Sequence, residues 1–169
     1  MKKITCISLV VILVLGLCAC AAKPAESKTE TAVGLPNPMK EISADEMSIG
    51  LNVPADASDV KYFVYTIGET EMYEVQFTTG GKEAYARAQA TAELEPIDFS
   101  GLSYTFTESD AEVSGRPAKV CLADSCGYIS FLDVVPGIAY NVCINAPTTA
   151  DELIALAETC YFPMQGEVG

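Results

Sequence analysis

No histidine occurs in the 169 residues of this chain. That absence excludes Ser-His-Asp and Cys-His nucleophilic chemistry and every metal site built on imidazole. There is no Cys-x-x-Cys pair, the spacing that zinc sites and thioredoxin-like redox centres favour. Gly80-Gly81 is a turn word rather than a Gly-rich phosphate loop. Basic residues are scarce, 10 Lys and Arg against 23 Asp and Glu. Binding to nucleic acid or adhesion to anionic lipid needs clustered cations, so both are excluded as partners. No apolar run reaches the roughly 20 residues of a membrane span.

What is present begins at the N-terminus, with Met1-Lys2-Lys3, an apolar run from Ile4 to Leu17, and Cys18-Ala19-Cys20. A charged start, a short apolar core and small residues before a cysteine predict a secretory signal. Leu17-Cys18-Ala19-Cys20 resembles the bacterial lipobox, which predicts a signal peptide over 1–19 and a mature chain that starts at a lipidated Cys20. The alternatives are an ordinary signal cut near Ala22 and an uncleaved anchor. Cys18 is the poorer modification site, because bulky Leu17 then stands where small residues are wanted. Each buried methylene contributes about 0.8 kcal/mol, so two or more acyl chains hold such a protein at the extracytoplasmic face of the cell membrane. Residues 20–38 are polar, Pro-bearing and without hydrophobic period, as a tether is. As a flexible coil of about 18 residues such a segment reaches roughly 25 Å. One domain over 39–164 and a loose tail over 165–169 complete the expected organisation. Loss of Lys2 and Lys3 with the signal takes the net charge from −13 to −15.

Within the domain the pattern is mostly strand. Ser43 and Glu46 make a capping box that predicts a short helix ending near Gly50. Val60–Ile67 is β-branched and aromatic, and in 71–79 Tyr73, Val75 and Phe77 alternate with Glu74 and Gln76, the mark of a strand with one wet face. Gly80-Gly81 suits a two-residue hairpin turn, so 83–90 is expected to return as a strand despite its helix-favouring alanines. Leu102, Tyr104 and Phe106 alternate with Ser103, Thr105 and Thr107, predicting a further strand. Segments 117–122, 128–134 and 138–144 follow as a meander, with a turn at Val135-Pro136-Gly137. Thr149 and Glu152 form a second capping box, and Leu153, Leu156, Ala157 and Cys160 make one helical stripe that Pro163 closes. The fold class is α+β: a mainly antiparallel sheet of about six to seven strands in a meander, a short N-terminal helix, and a C-terminal helix packed on the sheet.

Several short words are shared with a known family: Asn37-Pro38-Met39, Leu51-Asn52-Val53-Pro54, Glu74-Val75-Gln76-Phe77, Tyr85-Ala86-Arg87-Ala88 and Ile97-Asp98-Phe99-Ser100-Gly101. In their order along 37–161 the chain resembles the uncharacterised domain of unknown function 4367. The resemblance implies an exported lipoprotein, or the outer part of a membrane regulator, of a Gram-positive cell. It brings no catalytic residues.

Four later cysteines, Cys121, Cys126, Cys143 and Cys160, are an even number in an exported domain and predict two disulfides with three possible pairings. Cys121 with Cys126, across the mouth of a hairpin, is the first choice. It leaves Cys143 with Cys160, although Cys143 is out of phase with the apolar positions of its strand. Buried free thiols are the alternative. Glu108, Asp110 and Glu112 share one face if extended, about 7 Å apart; as a glycosidase or calcium cluster they are weaker than as a solvated run in a loop leading to Ser114-Gly115. Tyr62, Tyr65, Tyr73, Tyr85, Tyr104, Tyr128 and Tyr140 could line a ligand-binding sheet face, but strands favour Tyr, and rings at the edges of the core are the stronger reading. The expected function is therefore a non-catalytic interaction or sensing module acting on an envelope protein, without cofactor or metal. A small-ligand or glycan binder using a tyrosine-lined face is the alternative.

Overall fold

The computed structural model describes residues 39–163. The expected signal peptide over 1–19, the expected lipidation site Cys20, the 20–38 segment and the tail beyond Pro163 lie outside the described residues. The described residues form eight strands, most of them drawn by β-branched and aromatic alternation: β1 (Met39–Ile42), β2 (Ser58–Ile67), β3 (Thr70–Thr79), β4 (Lys82–Ala90), β5 (Thr107–Val113), β6 (Arg116–Leu122), β7 (Gly127–Asp133) and β8 (Ile138–Ile144). They form one sheet in the order β1-β2-β3-β4-β8-β7-β6-β5, with every pair antiparallel. Two four-stranded meanders thus meet at β4 and β8, and the chain crosses from β4 to the far edge before returning.

The helix α1 (Ala150–Cys160) is built as its sequence predicts. The Glu152 N–H donates to Thr149 Oγ1 at 3.2 Å, and the Thr149 N–H donates to Glu152 Oε2 at 3.1 Å. Its stripe of Leu153, Leu156, Ala157 and Cys160 is buried against β5–β8. Residues 47–57 continue this layer toward β2 and β3 through Met47, Ile49, Leu51 and Val53. They are stitched to the end of α1 where Asn52 Nδ2 donates to Tyr161 O at 2.8 Å. Between the layers lie Val75, Ala86, Val120, Ile129, Phe131, Tyr140 and Val142, with the Phe131 and Tyr140 rings stacked at 4.8 Å.

Four expectations are corrected. The sheet has eight strands rather than six or seven, because the short β1 and the acidic β5 carry no strong apolar signal. The N-terminal helix is a single 3-10 turn, Ala44–Glu46, at which the Ser43 N–H donates to Glu46 Oε2 at 2.8 Å. Leu102–Phe106 is no strand: residues 91–106 form a strap laid over the sheet face opposite α1, with Leu102 and Phe106 turned onto Tyr85, Cys121, Tyr128 and Cys143. Conversely, Glu108, Asp110 and Glu112 lie on β5, not in a loop. Segment 83–90 is a strand, and its Gly80-Gly81 turn has φ +55° and +74°, the left-handed pair a two-residue hairpin demands.

Candidate functional site

The strap makes the second sheet face an interior. At its centre Glu74 is only 1% exposed, which corrects the expectation of a wet face on β3. Counting back from the Gly80-Gly81 turn sets Glu74 of β3 opposite Arg87 of β4. Arg87 Nε donates to Glu74 Oε2 at 2.5 Å. The other carboxylate oxygen accepts from Gln76 Nε2 at 2.5 Å and from Tyr65 OH at 3.2 Å. Arg87 Nη1 donates to the carbonyls of Phe99, at 2.7 Å, and Ser100, at 2.5 Å. Tyr85 OH donates to the same Ser100 carbonyl at 2.8 Å, and the guanidinium lies 4.8 Å from the Tyr85 ring centroid and 5.6 Å from that of Tyr65. Burial works against the Arg87 charge, but the adjoining Glu74 carboxylate and its hydrogen bond outweigh it and raise the pKa. Burial raises that of Tyr85, so its hydroxyl stays protonated.

Gly101 completes the joint. Its φ is +76°, and a Cβ there would stand 2.9 Å from Arg87 Nη1. Asn141, fully buried on β8, clamps the strap from the other side: Nδ2 donates to Ile97 O at 3.0 Å and Oδ1 accepts from the Phe99 N–H at 2.8 Å. Sequence reasoning missed this network, although the hairpin register carried the signal that pairs Glu74 with Arg87. Beside the strap opens a cleft of about 440 Å³ lined by Lys61, Tyr65, Glu74, Gln76, Tyr85 and Arg87 among others. Its floor charges are already satisfied by one another.

The tyrosines do not line one concavity. Tyr73 and Tyr140 are buried in the α1 side of the sheet, Tyr65 adjoins the cleft, Tyr85 and Tyr128 lie under the strap, and Tyr104 is exposed.

All four cysteines are free and buried, which corrects the expected pair of disulfides. Cys143 packs under the strap and Cys160 on the opposite side of the sheet, so a bridge between them would have to pass through it. Cys121 and Cys143 share a face but flank Tyr128 in the register. They are two strand spacings apart, roughly 10 Å and beyond disulfide reach. The turn between Cys121 and Cys126 is closed by the backbone instead, where the Ala123 N–H donates to Cys126 O at 2.9 Å. Burial pushes Cys143 and Cys160 each up to about 12 and raises Cys121, so these are neutral thiols rather than nucleophiles. Among the described residues no group of Cys, Asp and Glu is placed to hold a metal ion.

Among the described residues the sheet ends in β1 on one side and in β5 on the other. β1 has four residues, whereas β5 has seven, most of them exposed. Glu108, Asp110 and Glu112 lie opposite Cys121, Lys119 and Pro117, so the three carboxylates line one side of the strand. Lys119 Nζ answers Glu108 Oε2 at 3.5 Å. Among the described residues no strand lies beyond β5, and that side of its backbone is unpaired within the sheet. No family model matches the chain, and no curated protein and no solved structure matches it.

Proposed function

We propose that this chain is an extracytoplasmic lipoprotein, anchored to the cell membrane through Cys20, whose domain binds another envelope protein and carries out no reaction. The observation that carries the reading is β5, a seven-residue acidic strand at the sheet edge. An open edge offers main-chain hydrogen bonds to an added strand, and its side chains select the partner. Three carboxylates in a row would repel a second copy of β5 laid against them and would favour a strand bearing Lys or Arg. The N-terminal lipobox and the resemblance to domain of unknown function 4367 agree with an envelope location.

A small-ligand binder is the second reading, favoured by the cleft beside Tyr65 and Tyr85. It is weaker because Glu74 and Arg87 already partner each other and the strap, leaving no buried charge to recruit a ligand. Chemical crosslinking on intact cells, followed by mass spectrometry, separates the two. A protein captured by the native chain and lost from the Glu108→Lys, Asp110→Lys, Glu112→Lys variant, at unchanged melting temperature, is the expected result. No captured protein, or one indifferent to the triple substitution, overturns the edge reading and moves the question to the cleft.

A further inference from the structure

Of the six large apolar side chains exposed among the described residues, the two most exposed, Val135 and Leu94, lie with Val134 at one end of the sheet, whereas Val60 and Tyr104 lie toward the other. Val134 and Val135, 54% and 90% exposed, sit side by side in the β7–β8 connection, and Leu94 of the strap is 77% exposed. The Thr91 N–H donates to Gly137 O at 2.8 Å, which brings the start of the strap, with Leu94 three residues on, against this connection. The joint is tight: Gly137 has φ +66°, and a Cβ there would stand 2.8 Å from Thr91 O. The base of the tip is fixed too, because Asp133 Oδ2 accepts from Arg116 Nη2 at 3.1 Å and from Tyr161 OH at 2.6 Å.

The register sets where the chain enters relative to this tip. Met39, Tyr65, Met72, Gln89, Ala139 and Leu132 form one row across the sheet. The first described residue therefore lies at the same end as Val134 and Val135, five strand spacings or roughly 24 Å to the side. The 19 residues from Cys20 to Met39 span at most about 65 Å when fully extended. A tether of that reach allows the end at which the chain enters to meet a bilayer that holds Cys20.

We propose that this end of the domain docks on the lipid bilayer, with Val134, Val135 and Leu94 entering the interface. The proposal rests on the lipid anchor of the preceding section. Its occupant is a lipid surface because the chain enters at the same end as the exposed apolar residues. Glu93 and Glu95 flank Leu94, so the contact is apolar and does not depend on anionic headgroups. Docked this way the strands stand upright on the membrane, and β5 stays open along the side to a protein partner.

The chain has no tryptophan, so Val135→Trp supplies a single tryptophan at the tip and Asp124→Trp one at the opposite end, each excited selectively over the tyrosines. The full chain, purified with its lipid, is reconstituted into phosphatidylcholine vesicles with or without brominated acyl chains. Insertion to the interface is expected to quench the tip fluorophore about two-fold with a blue shift, and to leave position 124 unquenched. Equal quenching at both positions, or none at 135, overturns the proposal. Should mass spectrometry find Cys20 without lipid, the anchor reading fails separately. The same variants are then held on nickel-chelating phosphatidylcholine vesicles by a hexahistidine tag in place of residues 1–19. Selective quenching at 135 there sustains tip docking, and its absence overturns it.

Discussion

Replacing Arg87 by Leu is expected to be among the most damaging single changes in the domain. Arg87 is the cation facing Glu74, whose side chain is 1% exposed against 15% for Arg87 itself. Its loss leaves the Glu74 carboxylate in the interior with only Tyr65 and Gln76 as donors. It also strips Phe99 O and Ser100 O of a charged donor, although Ser100 O keeps Tyr85. Breaking a buried pair from one side typically costs about 3–5 kcal/mol. With a urea slope of about 2 kcal/mol per molar, the unfolding midpoint should fall by about 2 M. The companion double variant Glu74→Leu, Arg87→Leu removes the orphaned charge; Phe99 O then loses its donor, and the half-buried Tyr65 and Gln76 lose their acceptor, at about 1–3 kcal/mol in all. It should therefore be more stable than Arg87→Leu alone. Urea denaturation of both, with hydrogen exchange at 97–101 as a local reading of the strap, decides the matter. A loss below about 1 kcal/mol for Arg87→Leu, or a double variant worse than the single, would refute the view that this pair pins the strap to the sheet.

Gly101→Ala meets Arg87 Nη1 at 2.9 Å with φ +76°, whereas Gly115→Ala meets open space at φ +78°. Thermal melts should show about 2 kcal/mol lost at the first site and about 1 at the second, and equal losses would contradict the packed joint. Burial raises Cys143 and Cys160 each from 9.0 to about 12. A raised folded pKa favours the protonated native state, so this contribution is intact below pH 9 and is lost as pH rises toward 12. Stability should fall over that window by about 1.4 kcal/mol per pH unit for each thiol, and Cys160→Ala should flatten the slope of a melting-temperature series. Because Cys121, Cys126, Cys143 and Cys160 are free and buried, a thiol reagent should react slowly with the native domain and count all four after unfolding without reductant. Fewer than four would restore a disulfide.

Much of the fold was written in local pattern. The α1 stripe and its capping box, the Gly80-Gly81 hairpin and β8 follow from periodicity and turn chemistry, and in 83–90 the turn overruled the helix preference of four alanines. The failures share a cause: alternation reports which side chains meet a surface, not which backbone groups pair. Leu102 and Phe106 alternate because the strap presses them onto the sheet, yet their backbone joins no ladder. β5 pairs along its whole length while looking like a charged loop, because an edge strand is kept from aggregating by its charges. Glu74 and Arg87 look like surface residues until the strap covers them, and that crossing depends on 91–106 reaching the far edge, a long-range event with no local marker. The out-of-phase position of Cys143 was legible, and it does place that thiol on the face away from Cys160.

The central claim is that β5 is a binding edge at the cell envelope. A photo-crosslinking residue at Ser109, in the middle of β5, tests it most directly, with the same residue at Glu41 on β1 and Thr159 on α1 as controls in intact cells. The account predicts one discrete protein adduct from position 109 and none from 41 or 159. Adducts of equal yield from all three, or none from 109, would contradict it.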